Sequence, residues 1–131
     1  MALAVKGIQH LNLRVADLAR ARDFYVRALG FRVAFAKGTT VWLDAGGDLL
    51  GLSEGEPEPG IAHAAQHFGF MVESPGEVDA WAAQLRAHGI APEKGPYDRS
   101  DGRSFYFRDP DGHLLEIFFV DPAFLSGASR G

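Results

Sequence analysis

Two similar segments of the chain each begin with glutamine and histidine and continue as alternating residues. They read Gln-His-Leu-Asn-Leu-Arg-Val at 9–15 and Gln-His-Phe-Gly-Phe-Met-Val at 66–72. In each half a helix-like run follows and ends at a glycine, Gly30 or Gly89. Because alternation is typical of strands, the repeat predicts two similar modules, each with a histidine at the start of its first strand.

The apolar periodicity predicts the order β-α-β-β-β in both halves. Module 1, at about 6–54, has a strand over 8–15, a helix capped by Asp17, and strands at 31–36, 40–45 and 48–53. An acidic linker at about 54–64 leads to module 2, at about 65–120, and a tail follows at 121–131. Module 2 has a strand over 67–73, a helix that starts with the capping-box sequence Ser74-Pro-Gly-Glu77, and strands near 92–97, 103–108 and 113–120. This order excludes a doubly wound parallel sheet and predicts a single α+β domain.

Composition limits the function classes. The chain has 131 residues and a net charge of −4 with scattered basic residues, so nucleic acid and membrane surfaces are not expected partners. It contains no cysteine, so any thiol in its chemistry must come from a second substrate. Neither a signal peptide nor a membrane-spanning run is found, which favours a cytoplasmic protein.

Strand parity places three potential metal ligands on the face away from the helices. If Leu11 and Leu13 pack beneath their helix, His10 projects to the other side, and the same reasoning applies to His67 and Glu116. Two imidazoles and a carboxylate suit Mn²⁺, Fe²⁺, Co²⁺, Ni²⁺ or Zn²⁺ and leave coordination positions open for a substrate. The alternative is that each is an ordinary hydrogen-bonded residue, and residues alone leave both readings open.

The other histidines are interpreted as structural. His113 is three residues before Glu116, but on a strand the two side chains face opposite sides. His63 lies beside the linker, and His88 lies in the last turn of a helix, where it interacts favourably with the helix dipole.

Four stretches resemble the vicinal oxygen chelate superfamily, which includes glyoxalase I, bleomycin-resistance proteins, extradiol dioxygenases and fosfomycin-resistance enzymes. They are His10-Leu-Asn-Leu-Arg-Val-Ala-Asp17, Phe24-Tyr25 with Leu29-Gly30-Phe31, His67-Phe-Gly-Phe, and Phe105-Tyr-Phe-Arg-Asp-Pro-Asp-Gly-His-Leu-Leu-Glu116. The resemblance implies two βαβββ modules that form a curved, partly open mixed sheet around a central cavity, with the helices outside. It also implies metal ligands at His10, His67 and Glu116, and a homodimer in which modules pair within one chain or across two.

Departures from the superfamily patterns narrow the expected reaction. The fourth ligand of glyoxalase I, a glutamate, corresponds to Gly51, so glyoxalase I activity is not expected. Bleomycin-binding members lack the set of three metal ligands, which argues against that function for this chain. Fosfomycin-resistance enzymes, which open an epoxide with a thiol or water at a metal centre, match in ligands and length. The chain is also similar to them at Arg99-Ser-Asp-Gly-Arg-Ser-Phe-Tyr-Phe107, where they hold a phosphonate.

The leading hypothesis is therefore a metal-dependent enzyme in which the metal stabilises negative charge that develops on a substrate oxygen. Its best specific version is the addition of a thiol or water to a small epoxide. By the resemblance, Tyr106 and Ser104 are catalytic residues that orient the substrate, and Ser100 lies in the preceding loop. Asn12 stands where those enzymes have a threonine, and Trp42 and Phe118 are expected to line the pocket. Their lysine corresponds to Pro96 or is absent. Arg99 or Arg103 is the candidate replacement for that cation, unless both are solvated loop residues.

Two alternatives use the same residues differently. An Fe²⁺ extradiol dioxygenase would use the same two histidines and carboxylate, although the sequence offers no further cavity-facing histidine as an acid–base group. A binding protein without turnover would use the aromatic residues to hold a flat or amphipathic small molecule.

Overall fold

The computed structural model describes residues 3–5, 7–56 and 66–124. The chain divides into two compact units, Met1–Glu58 and Pro59–Gly131. Most of the predicted linker, including His63, lies outside the described residues. The described helices include none long and apolar enough to cross a membrane.

Module 1 contains one helical segment and a four-stranded mixed sheet. Its elements are β1 (His10–Val15), α1 (Leu18–Asp23), a π-helical turn (Phe24–Ala28), β2 (Arg32–Lys37), β3 (Thr40–Asp44) and β4 (Leu49–Glu54). The strand order is β1-β4-β3-β2, with β1 parallel to β4 and the other pairs antiparallel. The first strand of the module is thus an edge strand that lies beside the last.

The helical segment of module 1 begins where the sequence predicts and differs in its last turn. Asp17 Oδ1 accepts from Arg20 N at 3.1 Å, and Gly30 ends the segment with φ of 72°. The unpredicted π-helical turn between them is wider than an α-helical turn. Tyr25, Ala28 and Leu29 are all at most 4% exposed, so this turn directs three side chains into the core.

Module 2 repeats the arrangement. Its elements are β5 (His67–Met71), α2 (Pro75–Ala87), β6 (Lys94–Arg99), β7 (Gly102–Arg108) and β8 (Leu114–Val120), followed by a 3₁₀ turn (Pro122–Phe124). The strand order is β5-β8-β7-β6, with β5 parallel to β8. Ser74 Oγ accepts from Glu77 N at 3.2 Å, as the capping sequence predicts. The prediction of two βαβββ modules in an α+β fold is confirmed.

One face of the module 2 sheet is apolar and packs against α2, and the other face carries polar side chains. Phe105, Phe107, Leu115 and Ile117 are at most 2% exposed, as are Val78 and Leu85 of α2, which packs against β7 and β8. Residues of the opposite parity, among them Ser104, Tyr106 and Glu116, face away from α2. The hydrophobic core therefore fixes the side from which the polar residues project.

Phe107→Ala is expected to lower the free energy of unfolding by about 3–5 kcal/mol, because a fully buried ring is replaced by a cavity. Denaturant unfolding followed by circular dichroism measures the effect. Phe124→Ala is the matched control, since that ring is 50% exposed and its loss should cost much less. Equal losses for the two variants would contradict the assignment of the core.

Candidate metal and substrate site

His67 and Glu116 lie on neighbouring strands of module 2, and their side chains converge. His67 opens the edge strand β5, and Glu116 lies in β8, to which β5 is paired. Nε2 of His67 is 3.6 Å from Oε1 of Glu116, whose residue is only 6% exposed. Two neighbouring ligands of one first-row metal ion, each bonded at about 2.0–2.2 Å, lie about 3–3.5 Å apart. The observed separation is therefore close to that of a ligand pair.

Arg99, the last residue of β6, binds the second oxygen of the same carboxylate. Its Nη1 donates to Glu116 Oε2 at 2.8 Å. Its Nε lies 3.1 Å from Asp101 Oδ1, and its Nη2 donates to Asp101 Oδ2 at 3.3 Å. Partial burial lowers the pKa of Arg99, but Asp101 and Glu116 more than offset this and the net pKa is raised. Arg99 is thus a cation at the end of β6 that contacts a candidate ligand, although its side chain is still 33% exposed.

Tyr106 and Ser104 project from β7 on the same face as Glu116. The Tyr106 ring meets the His67 ring edge-on, with centroids 5.3 Å apart, and is paired with Glu116 in register. Burial, the Glu116 charge and a hydrogen bond with Tyr97 raise the pKa of Tyr106 to about 12. The phenol therefore keeps its proton at neutral pH and can act as a hydrogen-bond donor.

The hydroxyl group of Ser104 is fully buried, and its Oγ has no hydrogen-bond partner among the described residues. Buried polar atoms usually have such a partner. This oxygen, two residues from Tyr106 on one strand, is thus a buried polar group without a partner among the described residues.

Phe118 and Ser100 complete the predicted residues of module 2. A side chain at Gly69 would lie 2.8 Å from the Phe118 ring, so this ring lies directly over the backbone of β5. Ser100 is exposed in the turn between β6 and β7. Arg103, the other candidate cation, is bound to Asp79 and Asp98 at 2.8–3.2 Å.

Module 1 holds a second group of predicted residues around His10. The His10 ring meets the Trp42 ring edge-on, with centroids 5.5 Å apart. Its Nδ1 lies 3.0 Å from Gln9 Oε1. When Nδ1 carries the proton and donates to Gln9, Nε2 presents its lone pair, as a metal-binding imidazole requires.

Trp42 covers the position that corresponds to the fourth ligand of glyoxalase I. An added Cβ at Gly51 would lie 2.7 Å from Trp42 Cζ3, closer than real Cβ contacts. The ring thus fills the space that a larger side chain there would need. Phe35 stacks on its far side, with centroids 6.2 Å apart.

Asn12 belongs to a polar chain across the module 1 sheet. Ser53 Oγ donates to Asn12 Oδ1 at 3.0 Å, and Thr40 Oγ1 lies 2.6 Å from Ser53 Oγ. Ser53 and Thr40 were not predicted as site residues. Only the register of β3, β4 and β1, which sequence patterns do not fix, places them beside Asn12.

The predicted site residues thus form two groups, one in each module. Module 2 brings together His67, Glu116, Tyr106, Ser104, Phe118 and Arg99, and module 1 brings together His10, Asn12 and Trp42. In neither module do the described residues gather three metal-ligating side chains. The complete set of three ligands remains a prediction.

Other polar features of the described chain serve the fold. His113 Nδ1 is 2.7 Å from the buried Asp109 Oδ2, and His88 is exposed at the end of α2. A surface hollow of about 370 Å³ in module 1 is lined by Gly30, Phe31, Arg32, Asp44, Gly46 and Gly47. It contains none of the predicted site residues.

The chain belongs to the Glyoxalase/Bleomycin resistance protein/Dioxygenase superfamily, whose family model matches residues 7–117. Among individual relatives, it is 30% identical to the metallothiol transferase FosB of Staphylococcus haemolyticus, over 86% of this chain and 83% of that protein.

Solved structures agree in fold. An integron cassette protein from the mobile metagenome of the Halifax Harbour Sewage Outfall has a TM-score of 0.77 and 26% identity, over 88% of this chain and all of that one. The fosfomycin resistance protein FosX of Listeria monocytogenes has a TM-score of 0.72 and 25% identity, over 87% and 90% of the two chains. The predicted superfamily is confirmed, and the relatives support a metal-dependent enzyme similar to the fosfomycin-resistance members.

Gly51→Ala is expected to lower the free energy of unfolding by about 1–3 kcal/mol, because the new methyl group displaces the Trp42 ring. Adding Trp42→Ala removes the clash, so the double variant should be more stable than the sum of the single changes implies. Denaturant unfolding provides all three values. Gly76→Ala in α2 is the control, since its Cβ meets nothing closer than 3.9 Å. Strict additivity would rule out the contact.

In metal-free protein, Tyr106 is expected to ionise near pH 12, later than an ordinary tyrosine of pKa 10.0. Between these values the folded state keeps a proton that the unfolded chain loses, so the free energy of unfolding falls as pH rises through this window. Tyrosinate absorbance during alkaline titration measures the ionisation. Tyr106→Phe should remove the ionisation step near pH 12 and reduce the fall in unfolding free energy at alkaline pH. A titration curve identical to that of wild type would refute the raised pKa of Tyr106.

Proposed function

We propose that this protein is a metal-dependent transferase or hydrolase that adds a thiol or water to a small epoxide. One observation carries the proposal: His67 Nε2 and Glu116 Oε1 converge to 3.6 Å beside the Tyr106 ring in a chain 30% identical to a metallothiol transferase. The similarity to FosX supports a fosfomycin-like substrate, with an epoxide and an anionic group.

His10, His67 and Glu116 are the proposed ligands of a divalent ion. The fit is supported by the donor chemistry, by the spacing of the module 2 pair and by the contact between Gln9 and His10 Nδ1. When bound, Mn²⁺, Fe²⁺, Co²⁺, Ni²⁺ or Zn²⁺ would act as a Lewis acid that stabilises developing negative charge on a substrate oxygen. The proposed metal ligands are two imidazoles and a carboxylate, and a thiolate ligand is excluded because the chain has no cysteine.

Tyr106 and Ser104 are proposed to bind the substrate through their hydroxyl groups. Tyr106 stays protonated at neutral pH and can donate to an anionic oxygen, and Ser104 Oγ has no partner within the described protein. Asn12 and the exposed Ser100 are proposed as further polar contacts. Trp42 and Phe118 are proposed as apolar walls, which favours a substrate less polar than a bare phosphonate.

Arg99 is the proposed source of positive charge near the substrate. Arg103 is unsuited to this role, because it alternates with Ser104 and Tyr106 on β7 and so projects to the α2 side, where it binds Asp79 of that helix. The attacking thiol must be a second substrate, since the chain supplies none.

We further propose that the protein acts as a homodimer. The described edge strands carry exposed apolar side chains, with Leu11 of β1 37% exposed and Met71 of β5 65% exposed. Exposed apolar groups on edge strands are typical of surfaces that a partner covers. A second copy would also let a module 1 histidine and a module 2 pair come from different chains.

Wild-type protein is expected to release or absorb heat on titration with Mn²⁺, Co²⁺ or Zn²⁺. His10→Ala, His67→Ala and Glu116→Gln should each weaken metal binding by about tenfold or more, because each removes a ligand. Incubation with fosfomycin and a low-molecular-weight thiol, followed by mass spectrometry of the adduct, tests the reaction.

His88→Ala is the matched control for these variants, since it removes an exposed imidazole at the end of α2. It should bind metal and react like wild type. Metal binding without turnover of any epoxide would reject the reaction but keep the site, and absence of metal-dependent heat in the wild type would reject both.

Mixing the inactive variants His10→Ala and Glu116→Ala tests whether modules of two chains share a site. If they do, mixed dimers contain one intact set of ligands and should recover a substantial part of the wild-type activity, in proportion to their abundance. Each variant mixed with itself is the control. Dimers that exchange subunits without regaining activity would show that each site is built within one chain.

A further inference from the structure

The two oxygens of Glu116 face different partners. Oε1 lies 3.6 Å from His67 Nε2, whereas Oε2 accepts a hydrogen bond from Arg99 Nη1 at 2.8 Å. The residue is 6% exposed and lies in the interior of the sheet, so water cannot easily replace either contact. The carboxylate is therefore divided between a candidate metal position and a guanidinium.

Arg99 is held in place by a second carboxylate. Asp101 receives its Nε and Nη2, at 3.1 and 3.3 Å, through the two parallel contacts typical of an arginine fork. The backbone oxygen of Asp101 accepts from Asp121 N at 2.7 Å, which fixes the turn that carries it. Because the guanidinium is planar and rigid, these contacts direct its remaining amino group, Nη1, at Glu116.

We infer that Arg99 withholds Oε2 of Glu116 from the metal ion, so that the carboxylate supplies one oxygen and a coordination position stays open for substrate. The inference rests on the proposed function, in which His67 and Glu116 are ligands. A carboxylate with two accessible oxygens can bind a cation through either one or both. A charge-assisted hydrogen bond to one oxygen, from a donor that is itself anchored, favours binding through the other alone.

Removing Arg99 is expected to have two effects: the metal ion should bind more tightly, and its coordination number should rise. In Arg99→Ala, Oε2 is free to join Oε1, and the charge of Asp101 is no longer compensated by a nearby cation. Both changes favour the metal, so the Kd for Co²⁺ should fall by about tenfold. The added ligand should raise the coordination number and weaken the visible absorption of bound Co²⁺, which depends on geometry.

Arg103→Ala is the matched control, since it removes an arginine from the same β6–β7 hairpin. The guanidinium of Arg103 binds Asp79 and Asp98 instead of Glu116. Its Co²⁺ spectrum and Kd should equal those of wild type, so a shift shared by both variants would mean a general effect of lost charge and would overturn the inference.

An Arg99→Ala protein that binds Co²⁺ with an unchanged spectrum, or more weakly than wild type, would also overturn it. Asp101→Asn provides a second route if Arg99→Ala does not fold, because it loosens the guanidinium and keeps its charge. That variant should shift the spectrum in the same direction by a smaller amount, and no shift would count against the inference. Wild-type protein that binds no Co²⁺ would instead refute the proposed metal site.

Discussion

The burial of the Glu116 carboxylate is the constraint on which the chemistry of module 2 depends. A carboxylate that is 6% exposed must be compensated by partners, because an unpaired buried charge is expensive. Arg99 supplies that compensation through a contact of 2.8 Å, and Tyr106 and His67 surround the rest of the group. The burial of Tyr106 itself and, after it, the charge of Glu116 raise the pKa of the neighbouring phenol, so the two groups are electrostatically linked.

Glycines next to aromatic rings shape the faces of both modules. Gly51 lies under Trp42 in module 1, and Gly69 lies under Phe118 in module 2, and an added Cβ at either would come within 3.0 Å of the ring. Without a side chain on the strand, a ring can lie flat against the backbone beside the polar residues. Each module therefore combines an apolar surface with a histidine at the start of its first strand.

Much of this arrangement follows from patterns in the sequence. Alternation predicted that His67 and Glu116 share the face away from α2, and local polar residues predicted where both helical segments begin. The bounds of β6 were predicted less well, as 92–97 instead of Lys94–Arg99, because the strand contains a register shift between Lys94 and Tyr97. The Gly95-Pro96 pair lies in that shift and disturbs the alternation on which the prediction depends.

Contacts that depend on strand register could not be predicted from the sequence. The fork between Arg99 and Asp101, and the approach of Arg99 to Glu116, arise because β6 ends at the turn beside β7 and β8. No local pattern distinguishes such an arginine from one in solvent. For His10, by contrast, alternation predicted the face of the strand from which the side chain projects. Its role as a metal ligand rests on the family resemblance and stays a prediction.

If Ser104 binds substrate as proposed, its unsatisfied hydroxyl represents a trade-off between stability and function. A buried polar atom without a partner costs roughly 1–3 kcal/mol, so an alanine there would make the resting protein easier to keep folded. Selection for stability alone would therefore discard the serine. In the proposed role, the serine lowers the stability of the empty protein and gains a hydrogen-bond partner only when a substrate is bound.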